Sequence, residues 1–161
     1  MNTTPDTIRW PAEFDPSRAP IHAVNRLDMQ ASPEAVWKVL IRAVEWPRFY
    51  ANSAKVKIAG GAKDLSAGAR FTWRTFGVNL VSHVEEFVPD ERIGWTAKGA
   101  GVWVYHAWLI TPRTAGGCHV LTEETQYGFL SRLGKIFYPG RMEREHQKWL
   151  KALAVRAAKA E

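Results

Sequence analysis

One cysteine, Cys118, stands among 161 residues, so the chain holds neither an intramolecular disulfide framework nor a cysteine cluster for zinc. It lacks an apolar run of the roughly eighteen residues that a spanning helix needs. Its opening, MNTTPDTIRWPAEFDPSR, carries no apolar leader segment, and the expected location is cytoplasmic. The glycine loops GxxxxGK[ST] and GxGxxG, the zinc motif HExxH and the nucleophile elbow GxSxG are all missing, which removes the commonest nucleotide, metalloprotease and hydrolase readings. The five histidines show no HxH spacing and no sequence cluster with carboxylates, so neither a metal nor another cofactor is expected. Net charge is +6, from 22 Lys+Arg against 16 Asp+Glu. The surplus is spread through the C-terminal region (Arg132, Lys135, Arg141, Arg144, Lys148, Lys151, Arg156, Lys159), as on a solvated helix face. No basic run interleaved with aromatics points to nucleic acid. Weak peripheral contact with anionic membranes stays compatible with the charge, and monomer and homodimer both stay open.

What the chain does have is a 46% hydrophobic content and eight tryptophans, enough for one folded domain that could also enclose a pocket. Residues 1–20 hold four prolines, Pro5, Pro11, Pro16 and Pro20, and read as an irregular arm, with Trp10 and Phe14 available to pack it. Residues 21–160 read as a single domain. Ile21 to Met29 is strand-like. Ser32-Pro33-Glu34 starts a helix with a Ser N-cap, Pro at the first helical position and an acid in the first turn. Val36, Val39, Leu40 and Ala43 continue it, and Trp46-Pro47 breaks it into a short second helical turn. Alternating runs follow at 53–58, 70–76, 79–88, 92–98, 102–111 and 118–127. Helical spacing resumes at Phe129, is interrupted at Tyr138-Pro139-Gly140, and runs from about Arg141 to the end. Met142, His146, Trp149, Leu153 and Ala157 form one stripe of that last helix.

SPEAVWKVL in the first helix, EWPRFY after it, VEEFVPDERIGW, YHAWLITP with GGCHVLTEETQYG, and the C-terminal helix together resemble the START-like, helix-grip superfamily (SRPBCC proteins), which includes polyketide cyclase/dehydrase and lipid-transport proteins. The resemblance spans roughly residues 21–158. It implies an α+β fold in which a seven-stranded curved antiparallel sheet wraps around the long C-terminal helix, with two short helices between the first two strands. Members of the superfamily include cyclases, aromatases, lipid and hormone carriers and oxygenase domains, so the fold alone does not name an activity.

Turn lengths pair the strands. A tip at Gly77-Val78 sets Trp73 opposite Ser82 and Phe71 opposite Val84; a turn at Ala100-Gly101 sets Trp95 opposite His106. A loop centred near Ala115 then sets His106 opposite Glu124 and Trp108 opposite Thr122. Trp95, His106 and Glu124 thus form one row on the concave face. Such a sheltered imidazole beside a carboxylate is expected to have a raised pKa and to suit proton transfer; a satisfied polar pair that orients the sheet or holds an ordered water is the favoured explanation. Phe71, Trp73, Val84, Trp95 and Trp108 are the expected wall of a cavity, Phe137, Met142 and Trp149 its roof, and His106 with Glu124 its polar handle. His146 either projects into the cavity or sits at the helix edge, with the edge favoured.

The first functional reading is a binder of a hydrophobic small molecule, aromatic, polycyclic or lipid-like. The second is a cyclase/dehydrase-like enzyme in which His106 takes a proton and Glu124 holds its tautomer. The third is a protein-interaction module with a collapsed cavity. The segment between Gly128 and Pro139-Gly140 reads as a simple kink or as a lid.

Overall fold

The computed structural model describes residues 7–160; Pro5 and the start of the arm lie outside them. Seven antiparallel strands form one open sheet in the order β1-β7-β6-β5-β4-β3-β2. They are β1 (Ile21–Met29), β2 (Ser53–Ile58), β3 (Arg70–Thr75), β4 (Val78–Val88), β5 (Arg92–Gly99), β6 (Val102–Pro112) and β7 (Cys118–Tyr127). Strands β2 to β7 are a meander, and β1 closes against β7. Between β1 and β2 stand α1 (Pro33–Ile41) and a six-residue 3-10 turn, Ala43–Arg48. The Ser32 side chain accepts from Ala35 N–H at 3.2 Å, which caps α1 as its sequence requires. After β7 come α2 (Phe129–Phe137) and α3 (Arg141–Ala158). This is the expected helix-grip arrangement, with α3 laying Met142, His146, Trp149, Leu150, Leu153 and Ala157 onto the concave face.

The convex face is covered as well. Residues 8–18 of the arm make two short 3-10 turns there, and Ile8 and Phe14 bury against Tyr105, Ala107, Leu109 and Leu121. The Tyr127 hydroxyl donates to the Asp15 carbonyl, and Thr125 Oγ1 donates to that of Phe14 at 3.4 Å. The outward-facing Tyr105, Ala107 and Leu109 of β6 and Leu121 of β7 under the arm are therefore apolar, where a sheet with one wet face would carry polar residues.

One register departs from expectation, and β4 carries a bulge. The β3–β4 tip is Phe76-Gly77, both with positive φ (49° and 79°), so Trp73 pairs with Leu80 and Phe71 with Ser82. A two-residue hairpin with both central residues left-handed matches the strand twist better than the Gly77-Val78 tip. The two-residue slip keeps every side chain on its face. In β4 a bulge between Val84 and Glu86 reverses the alternation, and Glu86 pairs with Arg9 of the arm at 3.0 Å. The β5–β6 and β6–β7 registers are as expected: Trp95 with His106, His106 with Glu124, Trp108 with Thr122.

Candidate functional site

The concave face has two unlike halves. In the first, the space between sheet and α3 is filled. Trp46, carried by the 3-10 turn, is fully buried and donates its indole N–H to the Leu40 carbonyl at 2.9 Å. Its ring stacks on Trp95 at 5.6 Å and meets Trp73, Phe71 and Trp149 edge-on at 5.3, 6.0 and 5.0 Å. Tyr50 stacks on Trp149 at 4.6 Å, and Trp108 meets Trp149 at 5.0 Å. Phe71, Trp73, Val84, Trp95, Trp108 and Trp149, expected as cavity wall and roof, are instead components of this solid core. The residue that displaces the expected cavity is Trp46, which one 3-10 turn presents with no periodic signal in the sequence. Trp73 also finds a partner, Ser82 Oγ at 3.1 Å, whereas the buried indole N–H groups of Trp95, Trp108 and Trp149 have none among the described residues.

The second half is open. A cavity of about 380 Å³ lies between the start of α3, the underside of α2 and the strand ends at the β3–β4 tip. From the sheet come Thr75, Phe76, Val78, Leu80, Val102, Val104 and Gln126; from the helices come Leu130, Leu133, Phe137, Tyr138, Arg141 and Met142. Of the expected site residues, Phe137 and Met142 alone reach this wall. The alternation of β4 and β6 could have nominated Leu80 and Val104. Phe76 was hidden by the misplaced turn, and Arg141 by its position off the apolar stripe. The Arg141 guanidinium sits over the Phe76 ring at 5.3 Å and the Tyr138 ring at 5.5 Å, a cation–π clasp at the rim.

Roofing this cavity, α2 buries only Ser131, while Phe129, Ile136, Phe137 and Tyr138 are each more than 60% exposed. Gly128 (φ 107°) precedes α2 and Gly140 (φ 68°) precedes α3. Both joints use backbone conformations that glycine adopts without a Cβ penalty.

Beneath the cavity floor lies the polar row. His106 Nδ1 is 2.9 Å from Glu124 Oε2, and His146 Nε2 reaches the same oxygen at 3.3 Å. His146 is therefore a core residue, 2% exposed, and not an edge one: the Phe76 ring meets it at 6.4 Å, and its ring stacks on that of His106 at 4.7 Å. Glu124 Oε1 accepts from Gln126 Nε2 at 2.7 Å, and Gln126 also lines the cavity. His106 Nε2 is 2.8 Å from Thr122 Oγ1, which donates to the Ala107 carbonyl at 3.0 Å. Burial pushes the His106 pKa down, against the opposing pull of the Glu124 charge. This reverses the raised value expected from the carboxylate alone, because full desolvation of an imidazolium outweighs one partner. Burial would raise Glu124, but the imidazoles of His106 and His146 outweigh it and hold the carboxyl well below its ordinary range. Two histidines and a carboxylate thus meet from β6, β7 and α3, all with donor atoms within 4.8 Å of one another. No sequence spacing could reveal that cluster, since its members lie on three separate elements.

A sequence profile described as polyketide cyclase / dehydrase and lipid transport matches residues 20–158. The chain belongs to that family. A search of curated proteins finds no match to this cyclase/dehydrase-family sequence. Among solved structures it is similar to a hypothetical protein from Helicobacter pylori, at 28% identity and a TM-score of 0.88 over 96% of this chain and 98% of that one. It also shares its fold with the Zhui aromatase/cyclase of Streptomyces sp. R1128, at 15% identity and a TM-score of 0.69 over 86% of this chain and 94% of that one. Norcoclaurine synthase of Thalictrum flavum has the same fold at 13% identity, with a TM-score of 0.65 over 83% and 91% of the two chains. The family's helix-grip fold is a ligand-binding one. No helix among the described residues is long and apolar enough to cross a membrane.

Proposed function

We propose that this protein binds one hydrophobic small molecule, aromatic or lipid-like, in the cavity beneath α2. The observation that carries the reading is the cavity itself. Its 380 Å³ falls in the range of small-molecule sites, roughly 300–1,000 Å³, and its walls are apolar apart from Thr75, Gln126, Ser131, Arg141 and the Tyr138 hydroxyl. Burying an apolar ligand there gains roughly 25 cal/mol per Å² of surface removed from water. Arg141 at the rim supplies a positive charge for a polar or anionic end. A cavity of this size does not suit the collapsed interaction module.

The catalytic reading has one observation in its favour: Gln126 both lines the cavity and hydrogen-bonds Glu124, so a ligand carbonyl that displaced it would lie next to the His106–Glu124 pair. In that reading His106 removes a proton from the bound chain and Glu124 fixes the imidazole. Against it, neither His106 nor Glu124 lines the cavity wall. Titration calorimetry with a panel of fused-ring aromatics and fatty acids, together with native mass spectrometry of what co-purifies, tests binding. One-to-one binding that Leu80→Trp abolishes supports the proposal; no binding across the panel, with α2 unaffected in hydrogen exchange, overturns it. Turnover lost in His106→Ala with binding retained would move the assignment to the enzyme.

A further inference from the structure

The His106–Glu124–His146 cluster is more than a hydrogen-bonded core pair, and its protonation can be worked out from the groups around it. Thr122 Oγ1 has one hydrogen, and it goes to the Ala107 carbonyl at 3.0 Å. His106 Nε2, 2.8 Å from that oxygen, must then donate to it. A neutral His106 with its hydrogen on Nε2 leaves a bare lone pair on Nδ1, 2.9 Å from Glu124 Oε2 but directed off the line to it. Two electron-rich atoms at that separation repel unless a cation lies between them. A shared proton would need an in-line hydrogen bond, yet Nδ1 has no aligned partner among the described residues. A second ring nitrogen, His146 Nε2, approaches the same oxygen at 3.3 Å, while the Nδ1 of His146, on a side chain 2% exposed, has no partner either.

The geometry points to a binding site for one divalent first-row transition ion, of the zinc, cobalt or iron(II) kind, held by His106 Nδ1, Glu124 Oε2 and His146. Imidazole with a single carboxylate suits these ions and not calcium or magnesium, which take oxygen shells. Metal–ligand distances of about 2.0–2.2 Å put neighbouring donors of a tetrahedral site about 3.3 Å apart. One edge of this triangle, 3.3 Å, already fits, and the other, 2.9 Å, has to open by a few tenths of an ångström. The rings are 19° from parallel, so convergence requires His146 to tilt, and no hydrogen bond from its Nδ1 resists that. The outer contacts follow the usual pattern around metal-bound histidines: Thr122 fixes the His106 tautomer, and Gln126 holds the free carboxylate oxygen at 2.7 Å. The inference is independent of the cavity reading, because ligand binding can be measured in metal-free protein.

The test uses the full chain, stripped with a chelator and dialysed, then titrated with Zn²⁺ by calorimetry and with Co²⁺ by visible absorption. The expected result is one ion per chain, an intense low-coordinate Co²⁺ spectrum and a Zn²⁺-dependent rise in the unfolding temperature. His146→Gln and Glu124→Gln should each weaken binding at least tenfold, and Gln126→Leu about tenfold through the carboxylate it orients. Three other histidines touch carboxylates at the surface, His22, His83 and His119. Their combined change to Gln should leave stoichiometry and affinity intact, and this control does not touch the core, so it reports even if a core variant fails to fold. Absence of stoichiometric binding by the folded wild type overturns the inference. So does binding that is lost in the surface triple variant, or unchanged in a folded His146→Gln.

Discussion

The two halves of the concave face are built from the same sheet and the same helix, yet one is solid and the other hollow. Opposite Trp149 of α3 stands Trp46, and around them Phe71, Trp73, Trp95 and Trp108 close every gap. Opposite Met142, two turns earlier on α3, there is no counterpart of Trp46. The roof there is α2, which buries only Ser131 and leaves about 380 Å³ beneath it. In this protein the position of the pocket is therefore set less by the sheet than by what the β1–β2 connection inserts. Here that insertion fills one half with an aromatic ring and confines the cavity to the half near the chain's joints.

The largest expected effect comes from removing the plug. Trp46→Ala should cost about 3–5 kcal/mol, read as a fall in the urea midpoint with the denaturant slope unchanged. A loss below about 1 kcal/mol would mean that the neighbouring rings collapse into the space and that the division between halves is soft. Filling the hollow half is the converse. Leu80→Trp, whose side chain lines the cavity, should reduce ligand affinity at least tenfold, about 1.4 kcal/mol, while moving the unfolding midpoint by only a few degrees; unchanged affinity would place the ligand elsewhere.

The polar row between the halves gives a pH signature in metal-free protein. His106 has a folded pKa below its ordinary 6.5 and Glu124 one below its ordinary 4.5. In both cases the unfolded chain binds protons more readily, so stability is complete at neutral pH. It declines as pH falls below about 6.5 for His106 and below about 4.5 for Glu124, by at most about 1.4 kcal/mol per pH unit for each proton. His106→Gln should erase the upper part of that decline. Stability that instead falls as pH rises through 7 would mean that the Glu124 charge outweighs burial.

The smallest effect is dynamic. If α2 is a lid, amides of residues 129–140 should exchange quickly in the free protein and slowly with ligand bound. Equal protection in both states leaves only a kink between β7 and α3.

The sheet and its strand order were legible because alternation and turn residues agree along β5, β6 and β7, and the Trp95–His106–Glu124 row followed from them. The β3–β4 register was misread because Phe76 adopts a left-handed conformation that a bulky side chain seldom takes. The bulge between Val84 and Glu86 has no signature in the sequence, because an alternating pattern does not mark where one extra residue enters. Trp46 looked like punctuation beside Pro47, since six residues of 3-10 turn carry no measurable period. The helical stripe did identify the face of α3 that carries His146, but depth along that face depends on what lies opposite, and the opposing surface is assembled from residues far away in the chain.

The crowding of indoles around Trp46 also governs how the protein responds to light. Five of its eight tryptophans, Trp46, Trp73, Trp95, Trp108 and Trp149, form a chain of rings with neighbouring centroids 5.0–5.6 Å apart. At such separations excitation absorbed by any of them is shared among all, so intrinsic emission reports on the filled half of the molecule. None of the five lines the cavity. A ligand seated under α2 will leave the emission of those five almost unchanged, and a change on binding is expected from Trp103 instead, which packs beside Gly128 at the joint of α2.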